Sequence, residues 1–295
     1  MSMEPAPPPD PAPPVEQPPP VTAEEMFGRY PRMSQAVGLV VVGVVVLLFV
    51  HVVITVILGL TFRGNVPPEV NLMGMAAGNT IAIGLVILWS FLGTGLGMKD
   101  AFPLKPFDPG LLLPLVICMM GVALVSSELD NLLRFVMPVP EFVMEMMGEI
   151  MGAGGYSLVL LVVAAPVTEE PLFRGVILGG LATHYSRTRA IIYSSILFSL
   201  FHLNPYQFVP AFLMGLVFGW LMLETGSLWL CLVAHALANG FCFSASLLPE
   251  GSIPGFTYNP PGMGEHAFQP FWLDAAGIAA LALGVYALRR RFARR

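Results

Sequence analysis

Charge is scarce in this sequence. Only 11% of its 295 residues are Asp, Glu, Lys or Arg, and the mean hydropathy is +0.75. A soluble domain carries roughly 25% charged residues, so a normal aqueous surface is excluded and the chain reads as a polytopic membrane protein. Cysteine is nearly absent too. Cys118, Cys231 and Cys242 each lie in an apolar run with no CxxC pair and no metal-ligand spacing. That excludes a disulfide framework and leaves them as packing residues. The chain has no GxSxG, the turn that presents a serine nucleophile, and no HExxH, which would put two zinc-binding histidines and a base on one helix. Basic residues are scattered and the formal net charge is −5, so no nucleic-acid partner is expected.

Apolar runs, by contrast, are long and frequent. Ten prolines in the first twenty residues make residues 1–36 an extended, disordered tail, and the start is not that of a secretory signal. Residues 37–155 read as accessory membrane helices, with spans at 37–60, 73–96 and 111–125. Glu128, Asp130 and Arg134 mark an exit from the membrane. The segment 141–151 carries Glu141, Glu145 and Glu149 four residues apart opposite methionines and aliphatics, an amphipathic surface helix or lid. Residues 156–248 form a core with spans at 156–184, 190–201, 208–223 and 228–248. A polar loop, the last span at 271–288 and a basic tail make up 249–295. The fold class expected is therefore an all-α membrane bundle of about eight helices around a polar cavity. Eight spans with the N-terminus inside place eleven basic residues in the inner segments and two, Arg63 and Arg134, in the outer ones. That asymmetry predicts a cell-membrane protein with both termini cytoplasmic.

Three polar groups interrupt the core spans. Glu169, Glu170 and Arg174 lie within six residues of otherwise apolar chain, where an ionised group costs several kcal/mol, roughly 2.5–3.5 on insertion scales. Glu170 and Arg174, four apart, stack on one helix face, whereas Glu169 points about 100° round the helix. Phe198 and His202 are one turn apart in the next span, and His235 and Asn239 share a face two spans later. A carboxylate held at low dielectric gains affinity for a proton and, beside an imidazole, can take one from water. Two fixed donors can stabilise the oxyanion formed when that water attacks an amide. This is the equipment for hydrolysing a peptide bond with no covalent intermediate and no cofactor. Two histidines and a glutamate also satisfy a catalytic zinc. Any one of these groups alone reads as hydrogen-bonding glue in a scaffold or as a transporter's relay, but glue needs no double glutamate plus a separate His/Asn pair.

The order Glu169-Glu170-x-x-x-Arg174, Phe198-x-x-x-His202, His235-x-x-x-Asn239 resembles the CAAX protease and bacteriocin-processing (Abi) family of intramembrane endopeptidases, to which type II CAAX prenyl proteases belong. The stretches Glu169–Gly175 and Thr225–Trp229 are similar to that family as well. The resemblance implies a helical bundle enclosing a polar site with no metal. In it Glu169 and His202 would activate water, and His235 and Asn239 would hold the oxyanion. Glu170, Arg174 and Phe198 would support them. The implied substrate is a peptide or protein, lipidated ones included, with CAAX-type processing and peptide maturation both open.

Overall fold

The computed structural model describes residues 30–92, 97–257 and 267–294. Nine helices carry the fold among these: α1 Met33–Thr61, α2 Pro68–Leu92, α3 Leu112–Val136, α4 Glu141–Gly152, α5 Gly155–His184, α6 Arg187–Phe201, α7 Pro205–Thr225, α8 Leu228–Ser246 and α9 Phe271–Phe292. No strand occurs among the described residues; the nearest thing is an isolated bridge between Leu104 and Ser227. All of α1–α9 except α4 and α6 are long and apolar enough to cross a membrane. The chain is an all-α polytopic membrane bundle.

Four expectations shift. Residues 1–29 lie outside the description, and α1 begins at Met33 inside the stretch read as tail. Ala36 is fully buried there, because Tyr30 and Pro31 lead the chain onto Gly180, where a Cβ would meet Pro31 N at 2.1 Å. The second span begins at Pro68, and residues 93–96 of its expected end are outside the description. The third span does not stop before Glu128 but runs to Val136. Its charges are paired off: Asp130 accepts from Arg134 one turn on, and Glu128 accepts from Asn131 Nδ2 and Gln269 N, both at 2.9 Å. Finally α6 has 15 residues, about 22 Å at 1.5 Å per residue, short of a hydrocarbon core about 30 Å thick. Seven span-length helices and one short one replace eight full spans. The stop is local: Pro205 holds Asn204 extended (φ −124°, ψ 111°), and Leu203 before it is left-handed at φ 51°.

Chain-distant ties define the two ends. At one, Arg187 donates to Leu223 O (3.0 Å) and Glu224 (2.9 Å), Ser227 Oγ to Lys105 O (2.6 Å) and Leu228 N to Pro103 O (3.0 Å), while Arg291 lies 3.8 Å from Asp108. At the other, Tyr206 OH donates to Pro138 O (2.7 Å) and Asn131 Nδ2 to Gly255 O (2.6 Å). The first end collects Lys105, Arg187 and Arg291; the second receives Arg134, the His202–Asn204 turn and α4.

Small residues let the helices touch. On the α3–α9 seam a Cβ at Gly121 would fall 2.2 Å from Leu281 N, and one at Gly284 2.5 Å from Cys118 Cα. His51 of α1 bonds Asn79 of α2 through Nε2 at 3.0 Å. Outward faces stay apolar, as at Val45, Phe49 and Leu60, because lipid rather than water covers them. The deepest element is α5: every residue from Leu172 to Leu181 is buried.

Candidate active site

The helix bearing the first motif is not regular. Within α5, Val159–Ala164 and Pro171–Ile177 are π-helical and bracket an α-helical Ala165–Glu170. Pro166 and Pro171 stand on either side of the glutamates, and a proline removes one amide donor from the ladder. Insertions of this kind are frequent at functional sites. Carbonyls of both π segments also accept from neighbouring helices: Leu161 O from Asn239 Nδ2 at 2.7 Å, and Phe173 O from Ser194 Oγ at 3.2 Å.

Four charged or chargeable side chains meet at the centre. Glu170, with no solvent exposure, presents Oε1 to His235 Nδ1 at 2.7 Å and Oε2 to Arg174 Nε at 3.2 Å. Arg174 is fully buried, and none of its three guanidinium nitrogens makes an aligned hydrogen bond among the described residues. Its Cζ instead lies 4.3 Å from the Phe198 ring centroid and 5.0 Å from that of Phe218. Desolvating a guanidinium is costly, and an ion pair with two aromatic faces offsets it. Glu169 does not point away from this group: its Oε2 lies 3.9 Å from His235 Nε2. Adjacent glutamates thus address the two nitrogens of one imidazole, which Phe218 stacks against at 5.2 Å. Glu169 Oε2 is buried without a hydrogen-bond partner.

His202 caps α6 and bonds its own helix, Nδ1 to Phe198 O at 2.9 Å. A carbonyl only accepts, so Nδ1 carries the proton of the neutral ring and Nε2 keeps the lone pair. The Phe198 ring stands between the imidazoles, 5.0 Å from His202 and 6.0 Å from His235. Glu169, Glu170, Arg174, His235 and Phe198 are therefore one contact group. His202 joins it across Phe198, and Asn239 sits one turn beyond His235 with one N–H given to Leu161. Among the described residues no group of three His, Cys, Asp or Glu side chains is placed to hold a metal ion.

Phe218, the Leu161 carbonyl and left-handed Leu203 belong to this site without having been singled out in the sequence. Pro166 and Pro171, five apart around the glutamates, were the available sign of a broken ladder. Phe218 carried no sign at all.

Fold and site together define a class, the polytopic membrane proteins with a buried carboxylate–imidazole centre. Residues 154–241 match the family described as Type II CAAX prenyl endopeptidase Rce1-like. The "Putative membrane peptidase YdiL" of Bacillus subtilis (strain 168) is 26% identical over 172 residues, 58% of this chain and 61% of that protein. No solved structure matches significantly. By these matches residues 154–241 are similar to the CAAX protease and bacteriocin-processing family.

Proposed function

We propose that the chain is a glutamate-dependent intramembrane endopeptidase. The observation that carries this reading is the Glu169 carboxylate, whose Oε2 is buried, unpartnered and 3.9 Å from His235 Nε2. Burying an acceptor that folding does not use costs about 1–3 kcal/mol, and a bound water repays it. Glu169 takes a proton from that water while His202 Nε2 orients it, and the water oxygen bonds to the scissile carbonyl carbon. The carbonyl becomes an oxyanion that accepts from His235 Nε2–H and the second Asn239 N–H. Glu169 then returns the proton to the leaving nitrogen as the C–N bond breaks. With Nδ1–H committed to Glu170, His235 donates from Nε2 only as imidazolium. In that form two carboxylates, one guanidinium and one imidazolium sum to zero, which suits a site at membrane depth. The substrate in this reading is a peptide or protein, CAAX-type or otherwise. Both termini lie on the cytoplasmic side of the cell membrane.

Proteolysis in liposomes tests it. Glu169→Gln and His202→Ala are each expected to lose activity by about 10²–10⁴-fold, the usual weight of general-base catalysis. Asn239→Ala is expected to lose about 10²–10³-fold, that of an oxyanion donor. Equal cleavage by wild type and Glu169→Gln rules the assignment out, and inactivation by a chelator moves it to a zinc peptidase.

A further inference from the structure

Phe218 lies in Gly215-Leu216-Val217-Phe218-Gly219, in the second half of α7. The two glycines let α7 lie close against α6. A Cβ at Gly215 would fall 2.8 Å from Ser195 Cβ, and one at Gly219 3.2 Å from Ile191 Cγ2. Toward α8, Phe218 is held twice, one helical turn apart. Cys231 Sγ donates to its carbonyl at 3.4 Å, and the His235 imidazole, four residues on, stacks on its ring with centroids 5.2 Å and planes 26° apart. The side chain is fully buried. Backbone and ring are thus both fixed relative to the helix that carries His235.

Filling this place asks only for an apolar side chain. An aromatic ring adds a face of negative π density, which attracts cations. Arg174 Cζ lies 5.0 Å from the Phe218 centroid, so the ring serves two groups that carry positive charge in the catalytic form. The other chargeable groups around His235 are Glu169 and Glu170 from α5, His202 across Phe198 on α6, and Cys231 one turn back on α8. The carboxylates address the two nitrogens of the imidazole; Phe218 covers a flat side. An imidazole bonded at Nδ1 alone can still rock about that bond and carry Nε2 off the site, and a ring lying flat against it blocks the motion. We infer that Phe218 is a positioning residue: its ring holds the plane of the His235 imidazole and favours the imidazolium, keeping Nδ1–H on Glu170 and Nε2–H directed at the oxyanion. The inference rests on the peptidase reading for its purpose, but it is also read from His235 directly.

Replacing Phe218 in the full-length protein by mono-, di- and trifluorophenylalanine tests it, because fluorine withdraws π density stepwise and barely changes the size of the ring. In nanodiscs, nitrogen-15 NMR of the His235 ring, identified by its loss in His235→Gln, gives the ratio of imidazolium to neutral ring at one mildly alkaline pH. That ratio is expected to fall along the series, by about tenfold in all, the weight of a desolvated cation–π contact. The kcat for a quenched fluorescent CAAX-type peptide in liposomes is expected to follow it with KM unchanged. Cyclohexylalanine, which fills the same space without a π face, is expected to be as low as the trifluoro protein. In an Arg174→Met background the fall is expected to persist, which assigns it to His235 and not to the guanidinium. The inference is overturned by a ratio that stays level across the series, leaving Phe218 as packing alone, or by a fall that disappears with Arg174. A falling ratio with no cleavage of any peptide by wild type keeps the hold of Phe218 on His235 and removes the peptidase reading. Cleavage that is lost in Glu169→Gln, together with a level ratio, does the reverse.

Discussion

Arg174 shows how one residue sets the energetics of the site. It is fully buried, paired at 3.2 Å with Glu170 and held between Phe198 and Phe218. Removing one partner of a buried pair leaves the other charge stranded, at about 3–5 kcal/mol. Glu170→Gln should therefore lower stability by about that much, because the guanidinium then has only two aromatic rings to face. Arg174→Met should cost less than this, since Glu170 keeps its 2.7 Å bond to His235. Removing both charges should cost less than the two single changes added together, as expected for groups in direct contact. Thermal unfolding of the three variants in one detergent measures this, and strict additivity would show that Glu170 and Arg174 do not act as a pair.

The bundle's helices depend on how close their backbones come. Gly121→Ala and Gly284→Ala put a methyl group against the partner backbone, 2.2 Å from Leu281 N and 2.5 Å from Cys118 Cα. Neither neighbour is a flexible tip, so α3 and α9 must part, and each change is expected to cost about 1–3 kcal/mol. Gly38→Ala and Gly84→Ala, helical positions with nothing within 4 Å of the new methyl, should be neutral or stabilising by up to about 1 kcal/mol. Unfolding midpoints for the four variants separate close packing from helix propensity. Helices were the most legible level of this chain, because a membrane requires each span to satisfy its own backbone and sets its length. Val37–Leu60 thus anticipates all but the edges of α1. The α3 exit at Glu128 was misread because its charges are absorbed within the helix, by Asn131 and Arg134, and by Gln269 from a distant loop. The short α6 was legible only through Asn204-Pro205. Glu169 and Glu170 both lie in the α-helical Ala165–Glu170, and it is the place of His235 between them that brings both to one imidazole, which spacing along a single helix could not foresee.

Across the whole molecule the two ends are chemically unlike. Arg187, Arg291 and the carbonyl of Lys105 all make ties at one end, whereas the His202–Asn204 turn, α4 and a cavity of about 750 Å³ lined by Met144, Asn204 and Phe241 lie at the other. Short loops rich in Lys and Arg stay on the cytoplasmic side, so the first end should be cytoplasmic and the cavity should open toward the outer face. The substrate would then be met outside the cytoplasm. Single cysteines placed in a Cys242→Ala background test this directly. Thr188→Cys sits beside Arg187 at the arginine end, and Glu250→Cys sits just beyond α8 at the other; both positions are exposed. A membrane-impermeant maleimide applied to intact cells should label Glu250→Cys, and Thr188→Cys only after permeabilisation. The reverse pattern would invert the molecule and bring the cavity to the cytoplasmic face. Labelling of both sites in intact cells would contradict the span count, since a helix as short as α6 leaves that count dependent on whether Arg187–Phe201, together with the turn after it, reaches across.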